Sequence, residues 1–310
     1  MAHWKLPTWI LLVAFSPTVA NGQAEDLLPP DRSIAEVVDF YVARNLQEVQ
    51  LSAAKPATDS ALLRRTTLDL VGRIPTVREA QAYVNNNAAK KRAQMVDRLL
   101  TSPGYLQHQV NELGHLLSPG NATGLQKYLT YAIANDSTWD RIFRDLMLPP
   151  LKAEEGPAAD HFLKSRIGDI DKLANDTSVL FFGVNISCAK CHDHPLVEQW
   201  KQSHFFGMKS FFSRTFANGD FLAERDYGAV QFKTTAGETK TAQLMFLSGQ
   251  IVEEPAWQEP TDEEKKKLKQ QLEELKKKKQ PTPAPSFSRR STLVDVALST
   301  QEQDFFARNI

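Results

Sequence analysis

The sequence predicts a mainly α-helical protein with a small β-hairpin insertion near residues 227–252. Apolar residues recur at helical spacing between Ile34 and Phe212. Two capping boxes, which begin at Ser33 and Thr76, each place a Glu three residues after the capping hydroxyl. Beyond residue 216 the apolar period changes from helical to alternating, which is typical of strands.

The helical period and its punctuation predict individual helices. Gly72 ends the second helix, and Pro75 prevents its continuation. Helices are predicted at 34–49, 61–70, from 76 onwards, 91–100, 105–117, 125–135, 137–146 and 170–183. The stretch 151–160 is rich in Glu, Gly, Pro and Ala and is predicted to be a loop.

The C-terminal part of the chain contains three further kinds of segment. Residues 216–256 are predicted to be β-rich, because apolar side chains alternate on both sides of Ala236-Gly237-Glu238. Residues 257–285 comprise a charged helix and a Pro-rich tether. One stripe of three leucines marks that helix, and a coiled coil would need several heptads. The stripe therefore favours a solvated linker helix.

The N-terminus predicts export. A short start containing Lys5 precedes an apolar run, Trp9 to Phe15, and small residues follow up to Ala24. This order is typical of a secretory signal peptide, here residues 1–24, with cleavage after Ala20 or Ala24. No later segment is long and apolar enough to cross a bilayer. The mature protein is therefore expected in the periplasm or outside the cell.

Composition excludes some classes of partner. Lys and Arg together number 37, Asp and Glu also number 37, and the formal net charge is zero. A nucleic-acid-binding protein would carry a clustered cationic excess, so no nucleic-acid partner is expected. The 310 residues include only two cysteines, which are too few for a disulfide framework in an exported protein of this size.

Those two cysteines form the most informative motif, Cys188-Ala-Lys-Cys191-His192. C-x-x-C-H is the attachment signature of c-type haem. Two thiols bind the macrocycle, and the adjacent imidazole becomes an axial ligand of the iron. The motif predicts Cys188 and Cys191 as thioether anchors and His192 as the proximal metal ligand, with haem c as cofactor and a redox partner of unknown identity.

Two alternatives remain open at this stage. Cys188, Cys191, His192 and His194 offer thiolate and imidazole ligands of the kind that zinc prefers, although the histidines are closer to Cys191 than in ordinary zinc fingers. The pair could instead be simple thiols or a disulfide. In either case the protein would be a non-catalytic exported binding or scaffold domain.

A sixth iron ligand has three candidates near the motif: His204, Met208 and His194. His204 and Met208 are four residues apart and share a face if 202–213 is helical. Asp193 and Glu198 are expected to orient a ligating imidazole. The flanking phenylalanines could wall a haem, but core packing is the better interpretation of each. No hydrolase, nucleotide-binding or metalloprotease motif is present, so whether the protein is an enzyme stays open.

Three segments resemble, in order, a known family. They are Leu63–Thr76, Val96–Tyr105, and the block that begins Cys188-Ala-Lys-Cys-His-Asp-His-Pro195 and continues to Phe205-Phe206-Gly207. Together they resemble the planctomycete cytochrome-like domain of unknown function. Ile74 stands where that family often has proline, and His204 where it often has an acidic residue.

The resemblance implies a domain organisation but no known reaction. Residues 25–215 would form the helical cytochrome-like domain. Residues 286–310 resemble the truncated start of the partner domain that usually follows in this family.

Overall fold

The computed structural model describes residues 28–150, 157, 159–195, 197–299 and 305–306. The predicted signal peptide and most of the predicted loop at 151–160 lie outside these residues. The described residues fall into two units, with the boundary between Thr58 and Asp59.

The described residues of the first unit contain one helix, α1 (Ile34–Glu48), on which no residue is buried. The predicted capping box is confirmed. The Glu36 amide donates to the Ser33 hydroxyl at 3.3 Å, and the Ser33 amide donates to the Glu36 carboxylate at 3.1 Å. Two otherwise unpaired donors at the helix start are satisfied in this way.

In the second unit, helices again dominate the described residues, which confirms the predicted fold class. The helices are α2 (Asp59–Val71), α3 (Val77–Val84), α4 (Lys91–Leu100), α5 (Pro103–Leu117), α6 (Gln126–Ala134), α7 (Trp139–Met147), α8 (His161–Lys164), α9 (Ile170–Phe182), α10 (Gln202–Phe212), α11 (Asp262–Lys277) and α12 (Arg289–Ala297). Short 3₁₀ turns lie at Ala122–Leu125 and Ser187–Lys190.

Within the part of the chain that the structure describes, the strands form three antiparallel hairpins of two strands each. They are β1 (Thr215–Asn218), β2 (Phe221–Glu224), β3 (Gln231–Lys233), β4 (Thr239–Thr241), β5 (Leu244–Met245) and β6 (Ile251–Val252). The last four lie inside the predicted insertion. The β1–β2 hairpin lies ahead of it and turns at Gly219-Asp220, where Gly219 adopts φ 62°, a conformation that favours glycine at the first position of a two-residue hairpin loop.

The second predicted capping box is also confirmed and is reinforced by an arginine. The Glu79 amide donates to the Thr76 hydroxyl at 3.2 Å, and the Glu79 carboxylate accepts two hydrogen bonds of 2.9 Å from Arg73. The Arg73 hydrogen bonds, together with those from Thr76, lower the pKa of Glu79 to about 2. The carboxylate therefore stays charged at the positive end of α3, where charge and helix dipole attract each other.

Aromatic side chains of α7 and α9 form the centre of the core. Phe143 lies 4.9 Å from Phe181 and 5.4 Å from Phe182, measured between ring centroids, and Phe182 meets Phe246 edge to face at 5.2 Å. All four rings are fully buried. Edge-to-face contacts between aromatic rings stabilise a core beyond the burial of their area, so α9 is held firmly just before the segment that carries the cysteines.

Helix α10 passes through this core and is buried on nearly every side. Phe205, Phe206, Phe211 and Phe212 are all buried, which confirms core packing as the role of these phenylalanines. A Cβ on Gly207 would lie 2.5 Å from the Met245 Cβ, closer than real Cβ contacts come. The glycine thus lets α10 approach β5 directly.

Helix α12 completes the same core. Leu293, Val294, Val296 and Ala297 are buried in the cluster that contains the α7 and α9 phenylalanines. The predicted partner domain starting at residue 286 stays a prediction, but α12 itself packs with the helices that precede it. Within the part of the chain that the structure describes, each helix falls short of the length or apolarity that a membrane crossing requires.

Candidate functional site

The cysteine motif lies on a turn whose buried residues pack into the core. Helix α9 ends at Gly183, which adopts φ 65°, a left-handed conformation that glycine adopts without steric penalty. The 3₁₀ turn Ser187–Lys190 follows. Ile186 and Ala189 are both fully buried, and the Ile186 amide donates to the Asn175 side chain of α9 at 3.2 Å. The backbone of the motif is therefore attached to α9.

Both thiols of the motif are free and exposed. The Cys191 amide donates to the Cys188 carbonyl at 3.4 Å. A 3₁₀ turn has about three residues per turn, so side chains at positions i and i+3 lie on the same side. Cys188 and Cys191 have this separation, so the turn places these two exposed residues on the same side of the backbone.

The imidazole of His192 has a defined tautomer. Its Nδ1 atom lies 2.7 Å from the Asp193 carbonyl oxygen, and the side chain is exposed. A carbonyl oxygen only accepts hydrogen bonds, so Nδ1 carries the proton. In the neutral ring the lone pair is then on Nε2, the atom that a ligand to a metal must present.

The Asp193 carboxylate has a different role from the one expected of it. It accepts a hydrogen bond from the backbone N–H of Gln202 at 3.1 Å and lies 3.2 Å from the Lys201 ammonium. The hydrogen bond from the Gln202 amide, with the Lys201 charge, lowers the pKa of Asp193. The carboxylate thus ties the motif to the start of α10, while the backbone carbonyl orients His192.

Gln202 holds the motif by its side chain, a role that the sequence does not reveal. Its amide nitrogen donates to the carbonyls of Cys191 at 3.2 Å and Lys190 at 3.4 Å, and its amide oxygen accepts from Thr235 at 3.2 Å. The side chain is buried. It therefore connects the cysteine turn, α10 and the β3–β4 hairpin. Gln202 lies eleven residues after Cys191, and no local pattern marks it.

Substitution of Gln202 is expected to loosen the motif. Gln202→Ala removes buried hydrogen bonds and leaves carbonyls without their donor, so the free energy of unfolding should fall by about 1–3 kcal/mol. Amide hydrogen exchange should accelerate in residues 188–194. The matched control is Gln199→Ala, an exposed residue of the same type. Equal effects of both substitutions would contradict a specific role for Gln202.

One aspartate forms ion pairs with two lysines beside the motif. Asp171 of α9 lies 2.8 Å from the Lys190 ammonium and 2.6 Å from the Lys209 ammonium. Burial acts to raise the pKa of Asp171, but the hydrogen bonds from the two lysines outweigh it and lower the pKa. Lys190, which lies between the two cysteines, is thereby drawn towards α9.

The three candidate sixth ligands lie in different surroundings. The His194 Nδ1 accepts from the Val197 amide at 3.1 Å, and its ring meets Trp200 edge to face. The His204 Nδ1 accepts from the Lys201 amide at 3.1 Å, and burial lowers the pKa of this imidazole. Met208 has no exposed surface. Its thioether could reach an iron at the surface only if the core around α10 rearranged.

The described residues contain no group of three or more His, Cys, Asp or Glu side chains arranged to hold a metal ion. The motif thus supplies two thiols and one imidazole on an exposed turn, without a converged set of the kind that a closed structural zinc site uses.

The geometry defines a class of protein: a helical domain that presents a C-x-x-C-H turn to solvent while the backbone of that turn is fixed to the core. Residues 37–217 match the model of PSCyt2, a protein family of unknown function (DUF1549). The chain belongs to this family. Comparison with curated proteins and with solved structures finds no significant match.

Proposed function

We propose that the turn formed by Cys188, Cys191 and His192 is a c-type haem attachment site in an exported protein with an electron-transfer or redox role. The observation that carries the proposal is the state of His192. Its Nδ1–H donates to the Asp193 carbonyl at 2.7 Å, which leaves Nε2 with the lone pair. In metal-bound imidazoles, the ring nitrogen that does not bind the metal commonly donates a hydrogen bond of this kind, which orients the ring.

The thiols fit the chemistry of attachment. Thioether formation requires two unpaired cysteines that a haem can reach from solvent, and both cysteines here are free and exposed. The 3₁₀ turn places them on one side. Each thiol would add across one vinyl group, so that sulfur bonds to one carbon and hydrogen to the other, with no oxidant consumed.

The surroundings of the turn support a fixed rather than an adaptable site. The Gln202 side chain donates a hydrogen bond to the carbonyl of Cys191. Ala189, which lies between the two cysteines, is buried and anchors this segment in the core. A site whose backbone is already ordered loses less conformational entropy when its side chains become constrained. When bound, haem iron would supply a one-electron redox couple whose potential depends on axial ligands and exposure.

Export is part of the same proposal. Haem attachment to C-x-x-C-H sequences takes place outside the cytoplasm, and the pattern of residues 1–24 is that of a signal peptide. The protein is then periplasmic or secreted, and its partner is a redox protein or a small electron carrier.

The test is expression with and without cytochrome c maturation machinery. With the machinery, the purified protein should carry about one haem that stays attached after denaturation and shows a c-type absorbance spectrum. Without it, the protein should be colourless. Colourless protein from competent cells, with about one zinc per chain, would replace the haem proposal with the zinc-holding scaffold. Colourless protein that contains neither haem nor zinc would favour the alternative in which the two cysteines are a simple thiol pair.

A further inference from the structure

The histidines around the cysteine motif differ in the group that faces Nδ1. The His192 Nδ1 faces the Asp193 carbonyl, which only accepts hydrogen bonds, so Nδ1 carries the proton and Nε2 the lone pair. The His194 Nδ1 faces the backbone N–H of Val197 at 3.1 Å, and a backbone N–H only donates. In the neutral His194 ring the proton is therefore on Nε2, the opposite arrangement to that of His192.

Two further contacts hold His194 in this arrangement. Its ring meets the Trp200 ring edge to face, with 5.6 Å between the centroids, and its backbone N–H donates to the Trp200 carbonyl at 2.8 Å. A metal bond through Nε2 would require the proton to move to Nδ1. That move would break the hydrogen bond from Val197 and leave two N–H groups facing each other, which costs free energy. His194 is thus not prepared to bind a metal.

His204 has the same tautomer as His194 and is covered as well. Its Nδ1 accepts from the backbone N–H of Lys201 at 3.1 Å, so the proton of the neutral ring is on Nε2. The residue is only 9% exposed. A Cβ on Gly249 would lie 3.4 Å from the His204 Nε2. The turn between β5 and β6 therefore covers this atom, and iron could reach it only by displacing the turn.

Other candidate ligands are buried or lie on other elements. Met208 has no exposed surface. His108 and His115 lie on α5, which packs mainly against α2 and α6, and His161 lies on α8, which packs against α7. Among the described residues around the motif, the imidazole that combines an exposed side chain with a lone pair on Nε2 is that of His192.

We infer that haem iron at this turn takes one axial ligand from the described part of the chain, His192, and keeps its opposite axial side open to a small ligand from solvent. This inference rests on the proposed haem attachment. The ligands concerned bind haem iron directly: carbon monoxide and other diatomic gases on reduced iron, and cyanide or imidazole on oxidised iron. Steric access decides whether a haem binds such ligands, and Cys188, Cys191 and His192 are all exposed. The site would then bind a small molecule in addition to exchanging electrons.

Absorbance spectra of protein matured with the cytochrome c machinery test the inference. The reduced protein should contain high-spin iron, and carbon monoxide should bind to it saturably and shift its absorbance maximum. Imidazole should convert the oxidised protein to low spin. Colourless protein would refute attachment and, with it, this inference. Haem-bearing protein whose reduced iron is low-spin before any ligand is added would refute the inference alone and leave attachment intact.

Conservative variants show which side chains reach the iron. His194→Gln and His204→Gln keep an acceptor for the backbone N–H but remove the imidazole, and Met208→Leu keeps the apolar volume. Each should leave the spin state and the affinity for carbon monoxide unchanged, whereas His192→Ala should change both. If one of the first three variants converted low-spin reduced iron to high-spin iron, its residue would be an axial ligand and the inference would be wrong.

The tautomers provide a readout that needs no haem. Nitrogen NMR of the imidazoles is measured on protein made without the maturation machinery, at about pH 8, where an imidazole with the ordinary pKa of about 6.5 is neutral. The proton should be on Nδ1 in His192 and on Nε2 in His194 and His204. A proton on Nδ1 in His194 or His204 would place a lone pair on Nε2 and overturn the distinction between these residues and His192.

Discussion

Cys188→Ala and Cys191→Ala should each abolish most covalent haem attachment in cells that carry cytochrome c maturation machinery, and the double substitution should abolish all of it. The chain has only two cysteines, so no other thiol can replace them. His192→Ala should retain part of the attachment, because thioethers hold the macrocycle, but should change the absorbance spectrum, because the imidazole sets the ligand field of the iron.

Thiol titration provides an independent readout of the same variants. Protein made without the maturation machinery should react with a thiol reagent at two sites, since both cysteines are free and exposed. Protein made with it should react at none. The matched control for His192→Ala is His115→Ala, an exposed histidine in the last turn of α5, which should change neither the haem content nor the spectrum. Mature protein with two reactive thiols would refute attachment at this turn.

Glu254→Ala should produce the largest loss of stability. The Glu254 carboxylate lies 2.8 Å from Arg214 and 2.6 Å from Arg289, and the two guanidinium side chains are only 2% and 4% exposed. Burial lowers the pKa of Arg214, and the nearby charge of Arg289 lowers it further. Removal of the shared carboxylate leaves two buried cations without their direct ion-pair partner, so the free energy of unfolding should fall by about 3–5 kcal/mol.

Urea denaturation followed by circular dichroism measures this effect. Glu253→Ala is the control, because this adjacent glutamate is exposed and should change stability by less than about 0.5 kcal/mol. Because Arg289 is the first residue of α12, limited proteolysis of Glu254→Ala should cut near residues 286–299 sooner than in the parent protein. Similar stability of the two variants would show that the buried charges are compensated by other groups.

The two expected effects concern different levels of the structure. The cysteine substitutions remove the reacting atoms from an exposed turn, where they should change the free energy of unfolding little. The Glu254 substitution removes a partly buried counter-charge that joins α12 to Arg214, just after α10, and to the residues after β6. If both results hold, the attachment site and the C-terminal helix can be altered independently.

Local patterns predicted most of the helices. The capping boxes at Ser33 and Thr76 were found from hydroxyl and carboxylate spacing, and both are present in the structure. Capping is local because each partner lies within one turn of the other. The β1–β2 hairpin at 215–224 is less well located by the sequence, since its four-residue strands alternate too briefly to register as a period, although Gly219-Asp220 is a hairpin-turn signal.

The sequence by itself determined the helical class, the strand-rich insertion and the C-x-x-C-H motif with its two thiols and adjacent imidazole, because each depends on residues close together in the chain. Only the tertiary structure decided that Gln202 fixes the motif, that Asp193 contributes its carbonyl to His192, and that α12 lies in the core. Contacts of this kind depend on packing between distant segments, and no spacing within a short stretch of sequence encodes them.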